Sequence, residues 1–241
     1  MNKGKLYLIP TILGKGTQEA ILPFSVLKAI KEIDVFIVEN LRTARRHIKQ
    51  FDREKCIDAT TFYSYGKYDT LNLEQDFLPH ILSGQNIGLL SEAGLPCIAD
   101  PGSEIVAYAH DFQIDVVPLI GPSSILLALM ASGLNGQNFA FTGYLPIDKS
   151  ERTKRIKQLE KLVKITEQTQ IFMETPYRNN QLIESLLKTC SNNTKLCIAS
   201  DITLSTENIK TKTISDWKQT KINLHKKQAI FLIGQFGFKK S

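Results

Sequence analysis

Apolar residues recur along this chain in short runs, and several runs are continuous rather than alternating with polar residues. A continuous apolar run is typical of a strand that is buried on both faces. Eight such runs predict strands at Leu6–Ile9, Val35–Val38, Ile87–Leu90, Val116–Leu119, Phe139–Thr142, Ile171–Met173, Leu196–Ala199 and Ala229–Ile233.

The segments between these runs carry apolar residues at helical spacing. Ile21, Phe24, Leu27 and Ile30 predict one helix, and residues 152–165 and 180–187 predict two more. Strands that alternate with helices indicate an α/β protein with mainly parallel sheets.

The 241 residues suffice for one large domain or two compact ones. We predict an N-terminal α/β domain over residues 1–119 and a C-terminal α/β domain over residues 120–241, because the fourth predicted strand gives way there to Gly121-Pro122. Two alternatives stay open. The boundary could lie near residues 144–148, or Gly121-Pro122 could be an ordinary turn between a strand and a helix.

Composition excludes several classes of protein. A chain with 42% hydrophobic and 22% charged residues is globular rather than disordered or collagen-like. No apolar run approaches the roughly 18 residues that cross a bilayer, and no signal-peptide pattern is recognisable. The four cysteines form no C-x-x-C pair, which favours reduced thiols over a metal site or a disulfide framework. The sequence predicts a cytoplasmic protein that binds no metal and no membrane.

Positive charge is concentrated towards the C-terminus. Residues 1–147 contain 12 Lys and Arg against 15 Asp and Glu, whereas residues 148–241 contain 18 against 9. A basic half favours a surface that meets polyanions such as nucleic acid. Lysine-rich helices that only face solvent would produce the same imbalance.

Small and polar residues follow several predicted strands where each strand ends, at 10–16, 39–42, 91–102, 121–124 and 174–178. Ligands of open parallel sheets bind beyond the carboxyl ends of the strands, so these segments predict one ligand site. The chain has neither a G-x-G-x-x-G sequence nor a Walker sequence, which disfavours a phosphate-anchored dinucleotide or ATP.

These segments resemble, in order, the motifs of the S-adenosylmethionine-dependent tetrapyrrole methylase superfamily, and within it the 16S rRNA (cytidine) 2′-O-methyltransferase I family. Eight segments carry the resemblance: Leu6-Tyr7-Leu8 with Thr11 and Gly14, Glu39-Asn40-Leu41-Arg42, Ser91 to Gly102, Gly121-Pro122-Ser123-Ser124, Ser132-Gly133-Leu134, Phe139 to Phe141, Gly143-Tyr144-Leu145-Pro146 and Glu174-Thr175-Pro176-Tyr177-Arg178. The chain departs from the family at Asn40, where the family has Asp, and at Leu95, where it has Thr.

The resemblance implies a homodimer of two-domain chains, with S-adenosylmethionine bound in a cleft between the domains. The cofactor-binding residues that it implies are Pro10, Glu92, Ala93, Gly94, Pro96, Ser123, Ser124, Met173, Ala199 and Ala229. The last three could equally be ordinary strand core.

Transfer of a methyl group to a ribose hydroxyl benefits from a base that accepts the proton. Glu39, Asp100 and Glu174 follow predicted strands and are the candidates, and their spacing does not choose between them. Arg42 and Arg178 are candidates to clamp phosphates of the substrate. Alternatively, Glu39 and Asp100 cap helices and Arg42 pairs with one of them.

A basic stripe is predicted on one helix, and an aromatic loop follows it in the chain. The stripe consists of Arg42, Arg45, Arg46 and Lys49, and the loop holds Phe62, Tyr63, Tyr65 and Tyr68 around Gly66-Lys67. Aromatic residues among basic ones could stack unpaired RNA bases. They could also pack the loop against its own domain or a dimer partner.

The function predicted from the sequence is an S-adenosylmethionine-dependent methyltransferase that acts on rRNA or the small ribosomal subunit, at a ribose 2′-hydroxyl. Two alternatives remain: the same donor with a small tetrapyrrole-like acceptor, or a protein that binds the donor or RNA without turnover. The basic C-terminal half argues against a small acceptor.

Overall fold

The computed structural model describes residues 3–66 and 71–236, and the chain divides into two compact units, 1–123 and 124–241. The boundary expected between residues 119 and 120 lies shortly before this division and stays a prediction. Lys67 and Tyr68 of the predicted aromatic loop lie outside the described residues.

The N-terminal unit is built on a five-stranded parallel sheet. Its strands are β1 (Leu6–Ile9), β2 (Val35–Val38), β3 (Thr61–Ser64), β4 (Ile87–Leu90) and β5 (Val116–Pro118), in the spatial order β3-β2-β4-β1-β5. Each neighbouring pair is parallel. Every residue of β2 and β4 is buried, which explains why these strands read as continuous apolar runs.

Helices cover both faces of this sheet. They are α1 (Gln18–Ile21), α2 (Phe24–Glu32), α3 (Leu41–Phe51), α4 (Leu78–Leu82), which follows a π-helical turn at Leu73–Phe77, and α5 (Ser103–Asp111). Successive residues of β2 point to opposite faces. Accordingly, Phe36 and Val38 pack with α2 and α3, whereas Val35 and Ile37 pack with α4 and α5.

The C-terminal unit contains a second five-stranded sheet. Its strands are β6 (Phe139–Tyr144), β7 (Thr169–Met173), β8 (Lys195–Ser200), β9 (Asn208–Thr213) and β10 (Ala229–Gly234), in the order β6-β7-β10-β8-β9. The helices of this unit are α6 (Ser124–Ser132), α7 (Lys149–Thr166), α8 (Asn179–Thr189) and α9 (Ile214–Lys218). The main core lies between the sheet and α7, α8 and α9, whose apolar faces contribute Ile156, Leu186 and Trp217.

The α/β class and all eight predicted strands are confirmed, and the parallel arrangement is confirmed for the first sheet. For the second sheet the expectation of mainly parallel strands is wrong. Only β6 and β7 pair in parallel, whereas β10 runs antiparallel to β7 and β8, and β8 antiparallel to β9. Residues 201–207, which join β8 to β9, are too few for a helical crossover, so the chain returns antiparallel.

Two local expectations are also corrected. Phe62 and Tyr63, predicted in a loop, lie on the edge strand β3. The helix predicted through Ile21–Ile30 is interrupted at Pro23, which takes the N-cap position of α2, because proline lacks the N–H that a continuous helix requires.

Candidate functional site

The loops after β1 and β4 are joined by hydrogen bonds at the carboxyl edge of the N-terminal sheet. The Thr11 backbone N–H donates to the Gly94 carbonyl oxygen at 2.9 Å. The Ser91 hydroxyl donates to the same oxygen at 2.7 Å and lies 3.3 Å from the Thr11 hydroxyl. Thr11 is fully buried and Ser91 almost so, so these polar groups hold the two loops in one arrangement.

Two glycines allow the strand-end loops to approach each other. Gly94 has a φ of +79°, and a Cβ atom there would lie 3.2 Å from Leu13 Cδ2 and 3.3 Å from the Pro122 carbonyl oxygen. At Gly121 a Cβ atom would lie 2.2 Å from Cβ of Pro10, which is closer than atoms can pack. The loops after β1, β4 and β5 therefore meet through backbone and proline surfaces.

The loop between β4 and α5 is strained. Cys97 and Ala99 hold positive φ values of 64° and 61°, and Gly102 has a φ of 122°. Positive φ at residues other than glycine costs on the order of 1–2 kcal/mol each. Such strain is kept mostly where a binding site requires a particular backbone shape. The pattern of apolar and polar residues carries no signal for it.

Three carboxylates interact at this edge. Burial, and then the negative charges of Glu39 and Glu92, raise the pKa of Asp100 to about 6. Burial and the charge of Glu39 also raise the pKa of Glu92, although hydrogen bonds from the Thr43 side chain and the Asn40 backbone oppose the rise. Asp100 Oδ2 is buried and has no hydrogen-bond partner among the described residues.

A small pocket opens beside Glu39 and Asp100. It is lined by Val38, Glu39, Tyr65, Leu89, Leu90, Ser91, Pro96, Asp100 and Pro101. Its cavity volume of about 10 Å³ is room for about one water molecule. The Tyr65 hydroxyl donates to the Glu104 carboxylate, a bond that raises the pKa of Tyr65 to about 12 and keeps it protonated.

The alternative in which Glu39 and Asp100 cap helices is wrong. The N-cap of α3 is Asn40, whose side-chain oxygen accepts from the Thr43 N–H at 3.0 Å, and that of α5 is Gly102. Arg42 is exposed, and no acidic side chain of the described residues lies within ion-pair distance of it. The pairing of Arg42 with one of these carboxylates is therefore also wrong.

In the C-terminal unit, Glu174 and Arg178 form an ion pair with each other. Glu174 Oε1 accepts from Arg178 Nε at 2.9 Å, from Arg178 Nη2 at 2.7 Å and from the Thr175 backbone N–H at 2.6 Å. The Glu174 side chain is only 1% exposed, and that of Arg178 is 29% exposed. These contacts hold the turn between β7 and α8. Glu174, a predicted base, and Arg178, a predicted phosphate clamp, therefore bind each other.

The remaining residues predicted to bind the cofactor fall into two groups. In the N-terminal unit, Pro10, Pro96 and Ser123 are buried, Glu92 is half-buried and Ala93 is exposed; in the C-terminal unit, Ser124 begins α6. Ile230 on β10 lies between Met173 and Ala199 in the sheet register, so these three residues share one face. Ala229 belongs to the core on the opposite face.

Tyr65 and Thr43 are the site residues that sequence reasoning missed as such. Tyr65 was placed in an aromatic loop, and Thr43 lies inside the predicted basic stripe without a charge of its own. In the described part of the chain, no cluster of His, Cys, Asp and Glu side chains could hold a metal ion. No helix there is long and apolar enough to cross a bilayer.

Known proteins resemble this chain in sequence and in fold. The sequence profile of the family described as Tetrapyrrole (Corrin/Porphyrin) Methylases matches residues 11–217. The ribosomal RNA small subunit methyltransferase I of Halalkalibacterium halodurans is 32% identical over 186 residues, which cover 77% of this chain and 60% of that protein. The protein of the same name from Bacillus subtilis is 31% identical over 213 residues, which cover 88% of this chain and 68% of that protein.

Among solved structures, the methyltransferase CobJ aligns with a TM-score of 0.62 and 15% identity, over 96% of this chain and 94% of that one. This likeness concerns the fold. The resemblance carried by the eight sequence segments is confirmed by the profile and by the relatives. The chain therefore belongs to the tetrapyrrole (corrin/porphyrin) methylase family of methyltransferases.

Proposed function

We propose that this protein transfers a methyl group from S-adenosylmethionine to a ribose 2′-hydroxyl of small-subunit rRNA. Family membership supports the methyltransferase activity, and the printed names of the relatives support the rRNA acceptor. The observation that carries the proposal is the joining of the loops after β1 and β4 beside Asp100, a half-buried residue whose buried Oδ2 has no partner among the described residues.

The N-terminal loops fit the methyl donor in two respects. Gly121 leaves no room for a side chain and Gly94 leaves little, so backbone groups are free to face the adenosine and amino-acid ends of a ligand. The carboxylates of Glu39, Glu92 and Asp100 repel one another, and a cationic ligand relieves this repulsion. When bound, S-adenosylmethionine supplies a methyl group attached to a positively charged sulfur.

The task of the protein is to hold the acceptor hydroxyl in line and to take its proton. Alignment alone can contribute roughly 7–11 kcal/mol to lowering such a barrier. We assign the proton to Asp100, because its Oδ2 has no hydrogen-bond partner in the described part of the chain and its pKa of about 6 suits a base at neutral pH. Glu174 is already committed to Arg178, and Glu39 is exposed.

Three further points belong to this proposal. Arg42 holds a phosphate of the acceptor strand, since it is exposed on the first turn of α3 beside Glu39. An acceptor in the small ribosomal subunit places the protein in the cytoplasm. The homodimer is the assembly that the resemblance implies.

Two measurements test the function. The first is isothermal titration of the purified chain with S-adenosylmethionine, which is expected to show saturable binding. The second is an assay with radioactive S-adenosylmethionine, which is expected to show methyl transfer to 30S subunits that lack the modification. A 2′-O-methyl group blocks alkaline cleavage of the adjacent phosphodiester, so the modified position appears as a gap in an alkaline ladder. Donor binding with transfer to a tetrapyrrole but not to RNA, or without any transfer, contradicts the proposal.

A further inference from the structure

We infer that the exposed face of α3 formed by Arg42, Arg45, Arg46 and Lys49, called here the α3 basic face, is the surface on which the backbone of single-stranded rRNA docks. The inference rests on the proposed function and adds the location of the RNA to it. The four residues follow one another at helical spacing, and all four are exposed. RNA would thus bind to the N-terminal part of the chain, although the excess of positive charge lies in the C-terminal part.

The first part of the α3 basic face is arranged against the stability of its own helix, whereas Lys49 lies in the last turn, where it offsets the dipole and donates to the Arg53 carbonyl oxygen at 2.9 Å. Arg42 and Arg46, and likewise Arg45 and Lys49, are like charges four residues apart, an arrangement that destabilises a helix. The first turn contains no acidic residue to offset the helix dipole, and it holds Arg42 instead. Among the described residues, no carboxylate lies within ion-pair distance of any of the four cations. Local rules broken in this way indicate a functional surface.

The lysine-rich helix α7 differs from α3 in the charges at its N-terminal end. Its N-cap Asp148 accepts from the N–H groups of Ser150 and Glu151, and Glu151 lies in the first turn. Near its end, Lys164 pairs with Glu160 at 3.3 Å. These end charges are placed where they stabilise the helix. In its middle, Lys157 and Lys161 are like charges four residues apart, as on α3, so the two helices differ in the charges of their first turns.

The α3 basic face begins at the candidate site. Asn40 caps the helix directly after Glu39, and the Thr43 side chain in the first turn lies near enough to Glu92 to lower the pKa of that carboxyl group. The positive charge of Arg46 reaches the same carboxylate and lowers its pKa. When the reacting nucleotide lies at the candidate site, the phosphates of the neighbouring nucleotides can therefore reach the cations of the α3 basic face, which are no more than the length of α3 away.

Arg45 is already oriented for such a contact. Its guanidinium lies 5.4 Å from the ring centroid of Phe62, which in turn stacks on the buried Phe36 at 5.9 Å. A cation–π contact of this kind restrains the guanidinium, and a guanidinium so placed can still donate two hydrogen bonds to a phosphate.

The test compares two double variants in equilibrium binding to a single-stranded 16S rRNA fragment at several salt concentrations. Arg45→Gln/Lys49→Gln removes two cations of the α3 basic face. Each phosphate contact on a single strand contributes about 0.7 to the slope of log K against log salt. We expect the slope to fall by about 1.4 and the affinity at 0.1 M salt to fall roughly 25-fold. Lys157→Gln/Lys161→Gln on α7 has the same spacing and number of charges, and it should change affinity less than about twofold.

Several outcomes overturn the inference. One is an unchanged slope in the α3 variant, and another is a loss confined to the α7 variant. A third is that the wild-type chain binds phosphatidylglycerol vesicles as tightly as it binds the RNA fragment, and that the α3 variant loses this vesicle binding. In each case wild-type transfer to 30S subunits still decides the proposed function separately. Donor titration and thermal unfolding of both variants verify the fold, and Arg45→Lys should retain the salt slope because it retains the charge.

Discussion

The Thr11 backbone N–H and the Gly94 carbonyl oxygen, 2.9 Å apart, join the end of β1 to the loop after β4. Because Ser91 donates to the same oxygen, the peptide group of Gly94 is held from two sides. Its φ of +79° is a conformation that side chains other than glycine disfavour. The shape of the proposed donor site therefore depends on this one residue having no side chain.

Gly94→Ala tests this dependence. A methyl group at this φ, 3.2 Å from Leu13 Cδ2 and 3.3 Å from the Pro122 oxygen, has to push the loops apart. We expect the free energy of unfolding to fall by about 1–2 kcal/mol. We also expect the affinity for S-adenosylmethionine, measured by calorimetry on the folded variant, to fall about tenfold or more, a change of roughly 1.4 kcal/mol.

Gly16→Ala is the matched control. Gly16 has nearly the same φ, +80°, but a Cβ atom there meets nothing within 4 Å. This variant should carry the same conformational penalty and bind the donor normally. Equal losses of donor affinity in both variants would show that backbone strain, and not the close approach at Gly94, controls binding.

Much of the fold was predictable because its central strands are buried on both faces. β2 and β4 are apolar throughout, and their lengths and positions follow directly from the sequence. β3 and β9 were missed, since they are edge strands whose exposed residues are polar. Strand direction was missed in the second sheet because burial leaves an apolar run whether the neighbour runs parallel or antiparallel.

The candidate site was predictable only in outline. The rule that ligands bind beyond the carboxyl ends of parallel strands singled out the segments 39–42 and 91–102, which contain Glu39, Glu92 and Asp100. The charges of these residues interact because β2 and β4 are neighbours in the sheet. The order of strands in a sheet cannot be predicted from the local pattern of residues. The positive φ values of Cys97 and Ala99 were likewise unreadable, because tertiary contacts impose them on residues that ordinarily avoid them.

Asp100→Asn separates the activity of this residue from its effect on stability. With no proton acceptor at this position, kcat should fall by about 10²–10⁴-fold. The acidic limb of the pH profile near pH 6, which in the wild type reports ionisation of Asp100, should disappear. An unchanged kcat with the limb still present would assign the proton to another group, and Glu39→Gln is the variant to measure next.

The same substitution should stabilise the protein at neutral pH. The pKa of Asp100 is about 6 in the folded chain against 3.8 for the free side chain, so its contribution to stability is present below pH 4 and is lost as the pH rises through 6. Asparagine does not ionise and escapes this loss. Denaturant unfolding should show the variant more stable at pH 7 by on the order of 1–3 kcal/mol and equal to the wild type at pH 4. A variant that is less stable at pH 7 would contradict this.

Arg178→Ala tests the ion pair in the C-terminal unit. The Glu174 carboxylate, 1% exposed, would lose its cation and two hydrogen bonds. We expect a loss of about 2–4 kcal/mol in the free energy of unfolding. Part of this loss should return in the double variant Glu174→Gln/Arg178→Ala, since the unpaired charge is then removed as well.

Lys188→Ala serves as its control on α8. Lys188 and Glu184 have the same spacing of four residues, but they lie 3.8 Å apart and are 72% and 70% exposed. An exposed pair contributes little, so this variant should change stability by less than about 0.5 kcal/mol. If Arg178→Ala changes the free energy of unfolding as little as Lys188→Ala does, then Arg178 does not stabilise the turn, and a role in binding a substrate is favoured.

The cysteines report donor binding without any need for turnover. Cys97 lies in the strained loop after β4, where burial and the charge of Asp100 raise its pKa, whereas Cys56 is exposed. Iodoacetamide reacts with the thiolate, so Cys56 should be alkylated first and Cys97 more slowly. Saturating S-adenosylmethionine should slow the reaction of Cys97 severalfold and leave that of Cys56 unchanged, as peptide mass spectrometry would show. Equal protection of both thiols, or of neither, would place the donor elsewhere than against this loop.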